Sequence, residues 1–276
     1  MKFARGFLFC ALVCQFSITQ AQVDQTAGNK VWYSFILSKD INYRWSVSNF
    51  SLLAMRSFQQ DFWFFQNSTE VKYRINRQFS LSAGYGLSMY RYNPWWDNHY
   101  PQQPNFMNAM TFHSFMAGVQ RRTEVGRKLV LNNELTTQFY IPKFEKYQTR
   151  FEYSLRLGYR KKDLPLGVRP FIQGALYYFL NGVSTNYYDQ NYNVAYKDSP
   201  DGLHRFRGKV GLTFTSGTWI KHFSTTVYFA VNREFNLPGL GNDQNILHPS
   251  RSGRTMLVTY PFNNYNIFGL QLGYSF

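Results

Sequence analysis

Cysteine is almost missing from this chain. Cys10 and Cys14 are the only two in 276 residues. Beyond them, neither a disulfide framework nor a cysteine metal site is available. Long apolar runs are missing too. None reaches the roughly 18 residues a membrane-crossing helix requires, and mean hydropathy is −0.39. An α-helical membrane protein is thereby excluded. Acidic residues are few: 15 Asp and Glu stand against 30 Lys and Arg, a formal net charge of +15. Charged residues make up 16% of the chain, whereas aromatics reach 20% and hydrophobic residues 44%. That much apolar side chain can bury surface, so disorder is excluded as well. Many aromatics, little charge and modest hydropathy fit a β-protein in which apolar and polar residues alternate.

The N-terminus reads as a processing segment. Lys2 and Arg5 supply a positive start, Phe7–Val13 a short apolar stretch, and Thr19-Gln20-Ala21 a small-residue cleavage site. The expected organisation is a signal peptide over 1–21 and one domain over 22–276. Cleavage would remove both cysteines.

Period-two patterns run through the rest. Phe151, Tyr153, Leu155, Leu157 and Tyr159 alternate with Glu152, Ser154, Arg156, Gly158 and Arg160. Phe79, Leu81, Ala83, Tyr85 and Leu87 alternate with Ser80, Ser82, Gly84, Gly86 and Ser88. Successive strand side chains point to opposite faces, so each run has one apolar and one polar face. The runs are roughly 10 to 14 residues long. A soluble strand averages about 5 or 6 residues, and a tilted bilayer-crossing strand needs about 9 to 11. In lipid, only a closed barrel satisfies every backbone group of a sheet. The expected fold is all-β: a transmembrane, up-and-down antiparallel β-barrel of about 10 to 12 strands.

Eleven runs are recognisable: 30–38, 42–56, 62–75, 79–91, 111–122, 129–140, 149–160, 168–180, 203–215, 221–235 and 265–276. Bacterial single-chain barrels normally have an even number of strands. Leaving out 30–38 makes ten; adding Thr255–Tyr260 makes twelve, the number that chain length points to. Short connections (39–41, 76–78, 124–128, 161–167, 216–220) alternate with long ones (93–110, 141–148, 181–202, 236–264), as in outer-membrane barrels. Trp45 and Trp219 lie near short turns, Trp32 and Trp63 near the opposite strand ends, where aromatic girdles are expected.

Phe268, Leu270, Leu272, Tyr274 and Phe276 form one face of the final run. An amphipathic last strand closing on Phe276 resembles the signal by which bacterial outer-membrane barrels engage their assembly machinery. The segments Lys30-Val31-Trp32-Tyr33, Lys39-Asp40, Tyr43-Arg44-Trp45-Ser46 and Tyr73–Tyr85 together resemble an uncharacterised family of Bacteroidota outer-membrane barrels, a domain of unknown function. The resemblance covers most of the region after the leader in layout. It implies the barrel fold and the outer membrane of a Gram-negative bacterium. It carries over no catalytic residue, cofactor or substrate. Implied partners are outer-membrane lipids, lipopolysaccharide and the assembly machinery. Nucleic acid, which a +15 cytosolic chain would suggest, does not meet a secreted one.

Candidate lumen residues follow from the alternation. Arg56, Lys72, Arg74, Arg150, Arg156, Arg160, Arg205, Arg207 and Lys209 fall on the polar face, as do Glu70, Glu134, Glu152 and Glu234. Two accounts stand open. Arginine forks paired with carboxylates would plug the barrel; a ring of unpaired Arg and Lys would line a narrow, anion-preferring pore. Two aromatic, amide-rich loops, Pro94–Tyr100 and Asn186–Tyr192, could stack on sugars. Catalysis is not expected. His99 and His248 fall in loops, His222 beside a turn, His204 at a strand start, and adjacent His113 and Ser114 must point apart. No HExxH spacing occurs. Asn67-Ser68-Thr69 matches a glycosylation sequon but lies within a strand.

Overall fold

The computed structural model describes residues 29–56, 61–90, 110–143, 147–161, 163–181, 185–188, 194–198, 201–216, 222–234, 245–249, 255–259 and 265–276. The expected leader over 1–21, His99, Trp219 and the loop Pro94–Tyr100 lie outside the described residues. The strands are β1 (Asn29–Asp40), β2 (Trp45–Arg56), β3 (Asp61–Arg74), β4 (Phe79–Tyr90), β5 (Met110–Val125), β6 (Leu129–Ile141), β7 (Tyr147–Tyr159), β8 (Arg169–Asn181), β9 (Thr185–Tyr188), β10 (Val194–Asp198), β11 (Gly202–Ser216), β12 (Phe223–Glu234), β13 (Asn245–Pro249), β14 (Thr255–Thr259) and β15 (Tyr265–Ser275).

Eleven of them form one closed barrel in the order β1-β15-β12-β11-β8-β7-β6-β5-β4-β3-β2. The twelve-strand count is corrected. Thr255–Thr259 does not join the wall but pairs with Asn245–Pro249 in a separate two-stranded sheet. Strand 30–38 stays in the wall. In an up-and-down meander, neighbouring strands reverse direction, so an odd number brings the first and last strands together running the same way. β1 and β15 accordingly pair in parallel, from Asn29↔Asn266 to Ser38↔Ser275. Beyond the ladder, the Phe276 amide donates to the Ser38 carbonyl at 3.0 Å.

Side-chain alternation sorts the wall. Tyr33, Phe115, Leu135, Tyr153, Ile172, Val210 and Phe268 all face outward and are exposed. Their sequence neighbours turn into the lumen. One end of the barrel, here the short-turn end, carries the connections 41–44, 75–78, 126–128, 160–168 and 217–222; the other, the long-connection end, carries the three longest, 91–109, 182–201 and 235–264, together with the short 57–60 and 142–146. Trp45 faces outward at the short-turn rim, with Tyr73 at 4.7 Å between ring centroids. Trp32 departs from the girdle expectation: it points into the lumen and is only 9% exposed. β1 starts at the long-connection end, and Trp32 falls on its inward face there.

Two tight turns share one pattern, Ile-Asn-x-x-aromatic. In Ile41–Trp45 the Asn42 side-chain oxygen accepts from the Arg44 and Trp45 amides at 2.8 and 2.9 Å. In Ile75–Phe79 the Asn76 oxygen accepts from the Gln78 and Phe79 amides at the same 2.8 and 2.9 Å. The short amide side chain stands in for a backbone carbonyl, which is why Asn nucleates such turns. The third turn places Gly126 at φ +62, where a Cβ would be strained. Beside it, Lys128 lies 3.1 Å from Asp163, and the Tyr159 hydroxyl donates to Asp163 at 2.6 Å.

Asn42→Ala and Asn76→Ala should each destabilise the barrel by about 1 kcal/mol, and the double variant by about the sum, because the turns are separate; urea unfolding in detergent micelles measures this. The Tyr159 hydroxyl and then the Lys128 ammonium hold the Asp163 carboxyl below the usual aspartate range, and the Asp163 carboxylate, followed by Tyr159, raises Lys128 in turn. The folded carboxyl is the stronger acid. Its contribution is therefore complete above the ordinary aspartate pKa and disappears as pH falls through the lowered value. Carboxyl-carbon NMR titration should find Asp163 titrating low, and Lys128→Met should move it upward.

Candidate functional site

The long-connection half of the lumen is aromatic. Tyr140, Tyr147, Tyr177 and Phe179, from β6, β7 and β8, form one buried cluster with Phe112 and Ala175. Trp32, Leu52, Ala54, Tyr228, Tyr265 and Ile267, from β1, β2, β12 and β15, belong to a second. Tyr177 and Phe179 are each 1% exposed. Toward the long-connection end the inward faces of β8 and β15 are thus apolar, whereas Gln173 and Gln271 farther along line the lumen with polar groups. Gly269 makes room for this packing. The Tyr228 ring lies across it, with its Cζ only 1.9 Å from where a Cβ would stand.

Cations thread between these rings. The Arg150 guanidinium lies 5.5 Å from the Tyr177 centroid, Arg205 5.1 Å from Phe179, and Arg207 5.2 Å from Tyr177 and 5.0 Å from Trp32. Arg156 sits 3.9 Å over Phe171, and Lys209 4.4 Å over Tyr228. A guanidinium is planar and weakly hydrated, so it stacks on the negative face of an aromatic ring. The strand ladder explains the spacing: Arg205 is level with Tyr177, and Arg207 with Ala175 and Asn232. Polar groups complete the set. Arg150 donates to Gln138 and lies 4.0 Å from Glu152, and Arg207 Nε donates to Asn232 at 3.2 Å.

Between the two ends lies a cavity of about 440 Å³. Glu70, Glu134 and Glu152 line it from β3, β6 and β7; Arg150, Arg205, Arg207 and Lys209 line it from β7 and β11. Glu70 and Glu134 thus stand on other strands than the cations of β7 and β11, while Glu152 stands beside Arg150 on β7. The Trp32 Nε1 and Tyr177 hydroxyl are buried and, among the described residues, have no hydrogen-bond partner. They and the arginines make the basic side a donor surface.

The remaining lumen candidates are placed differently. Lys72 is inward and donates to Gln120 at 3.0 Å. Arg74 is exposed at the short-turn rim and donates to the Tyr43 carbonyl at 3.3 Å. Arg160 lies beyond the end of β7, exposed and ion-paired with Glu124 at that rim. Arg56 and Glu234 end β2 and β12, with Glu234 in register with Arg205; their side chains lie outside the described residues. His113 faces outward, 2.5 Å from the Tyr85 hydroxyl, while Ser114 is buried on the inner face and hydrogen-bonds the Gly86 carbonyl. The two cannot act as a pair. No group of three or more His, Cys, Asp or Glu able to hold a metal ion occurs among the described residues.

Single-strand alternation locates the cations but misses the inward aromatics. The doubly apolar pattern of 171–180 was the available signal. It could not be interpreted without knowing which strands lie opposite.

This architecture puts the chain in the class of closed, single-sheet β-barrels with a packed, charged lumen. No protein-family model matches the chain, and none of the curated proteins does. No helix among the described residues is long and apolar enough to cross a membrane, which says nothing of crossing by strands.

Gly269→Ala should push Tyr228 off its seat and destabilise the barrel by about 1–3 kcal/mol, the usual range for overpacking. Gly158→Ala, whose nearest neighbour would be 3.7 Å away, is the control with little effect. Unfolding midpoints of the two variants make the comparison.

Proposed function

We propose that this chain is an integral outer-membrane β-barrel of a Gram-negative bacterium, non-enzymatic, with a filled rather than open lumen. In this reading it is a structural or surface ligand-binding barrel around a small interior cavity. The observation that carries it is the arginine–aromatic stack, in which Tyr177 and Phe179 reach 1% exposure between Arg150, Arg205 and Arg207. Side chains packed that tightly leave little room for bulk water. The membrane half of the reading is supported by the apolar outward face, where Ile172 is 59% and Phe115 53% exposed. Water around such a wall would face far more contiguous apolar surface than a soluble monomer tolerates.

The environment follows from the same wall. Outer-membrane lipid covers the apolar band, lipopolysaccharide meets the polar rim, and the last strand with Phe276 is the handle for the assembly machinery. The resemblance to Bacteroidota barrels agrees with that placement. Lipid hydrolysis is the least supported alternative, since His113 and Ser114 face opposite sides of the wall.

A second reading is favoured by one observation. The basic residues share one side of the cavity, and stacking on rings leaves a guanidinium's charge unneutralised. A narrow passage along that side would prefer anions.

Planar-bilayer recording separates the two. The filled barrel predicts background conductance for the full protein and step-like conductance once Arg150→Ala and Tyr177→Ala are combined. Anion-selective steps from the unaltered protein would replace it with the pore.

A further inference from the structure

Midway along its height, the described outward face of the barrel is interrupted by a compact polar group. Along β2 the outward residues are Trp45, Val47, Asn49, Ser51, Leu53 and Met55. Along β3, in the opposite direction, they are Tyr73, Val71, Thr69, Asn67 and Phe65. The register sets Asn49 beside Thr69 and Ser51 beside Asn67. Trp45 and Tyr73 lie on the short-turn side of this quartet, and Leu53 and Phe65 on the other. The quartet therefore sits midway along the apolar band. At mid-depth the other outward polar residues on the described wall are single, such as Thr137 and Thr225, whereas nearer the rims Arg233, Asn266 and Asn29 hydrogen-bond to one another and Arg121 stands beside Asn133. Some are capped by a phenol, as Asn133 is by Tyr153 at 3.2 Å.

The quartet is bonded within itself. The Asn49 amide nitrogen donates to Asn67 Oδ1 at 3.2 Å and to Thr69 Oγ1 at 3.0 Å. The Asn67 nitrogen donates to Asn49 Oδ1 at 3.2 Å and to Ser51 Oγ at 2.8 Å. All four amide hydrogens are thus used. What remains is the hydroxyl hydrogen of Ser51, that of Thr69, and one free lone pair on each amide oxygen and each hydroxyl oxygen. The surplus is two donors and four acceptors, on residues that are exposed or half-buried. Hydrocarbon offers these groups nothing, and polar side chains at membrane depth are therefore found where they meet other polar groups. Both donors of one copy can therefore be met by acceptors of a second, and the reverse, so the surface is complementary to itself, as a two-fold interface requires. Apolar side chains enclose it: Phe35 and Leu37 on β1, and Tyr85 and Leu87 on β4, are in register with the quartet. That arrangement would keep lipid tails and water from the polar centre.

We propose that the β1–β4 face is the site where a second copy of this chain docks in the membrane. The two barrels stand side by side about a two-fold axis along the membrane normal, with Asn49, Ser51, Asn67 and Thr69 of each meeting those of the other. This rests on the reading of the barrel as membrane-embedded.

The test uses the full chain in lipid vesicles, with Cys10→Ser and Cys14→Ser as background. Ser51→Cys should form a disulfide-linked dimer on mild oxidation. Ile172→Cys, on β8 across the barrel, should not. Adding Asn49→Leu and Asn67→Leu should lower the dimer fraction counted by single-molecule photobleaching by roughly tenfold or more, while the heat-dependent gel shift of the folded barrel persists. That shift keeps a misfolded variant from passing as a monomer. A monomer by photobleaching, equal cross-linking at both positions, or a dimer indifferent to the leucines would overturn the proposal. So would a Ser51→Cys adduct made with a different protein in native membranes and none with its own copy. Carbonate extraction reads the embedding separately: release into the aqueous phase overturns the membrane reading itself.

Discussion

A sheet that closes on itself must give every backbone donor and acceptor a partner along the seam, and that constraint shapes this molecule. Eleven strands cannot alternate direction all the way round. One pair must run parallel, and here the first and last strands take that role through ten consecutive residue pairs from Asn29↔Asn266 to Ser38↔Ser275. Once closed, the wall has no free edge for another chain to extend. Every further feature is then a matter of which face a side chain occupies.

The inner face resolves a composition that is otherwise awkward, with many cations, many rings and few acids. Arginine stacked on an aromatic face is held without needing a carboxylate for each charge. Arg156 over Phe171 at 3.9 Å, and Arg207 between Trp32 and Tyr177, are placed in this way. Glu70, Glu134 and Glu152 instead share the lining of the cavity with the cations of β7 and β11. The same interior that is full toward the long connections thus keeps a small polar space lined by both signs of charge. Glycine makes this packing feasible where a ring needs the volume of a missing Cβ, as Gly269 does under Tyr228.

Much of this was legible in the sequence. The eleven strand ranges, to within a few residues at their ends, and the inward side of Glu70, Arg150, Glu152, Arg205, Arg207 and Lys209 follow from period two; the first turn falls at 41–44 rather than at the expected 39–41, because the Asn42 side chain caps it there. Several features were not. A twelfth wall strand at Thr255–Tyr260 was expected from parity, but that segment pairs locally with Asn245–Pro249. Trp32 was assigned to a girdle by its position along the strand, although its even number puts it inside.

The dividing line has a physical origin. Which side of the wall a residue faces is set by the backbone of its own strand, a local property that any stretch of a dozen residues carries with it. Which residues then meet depends on the stagger between strands and on closure, and these bring together positions far apart in the chain. Arg207 reaches Trp32, and Asn49 reaches Asn67, only because closure and register put them there. Sequence alone therefore determined the wall and its two faces; the tertiary structure decided the strand number, the parallel seam, the stacked cations and the polar quartet on the outer surface.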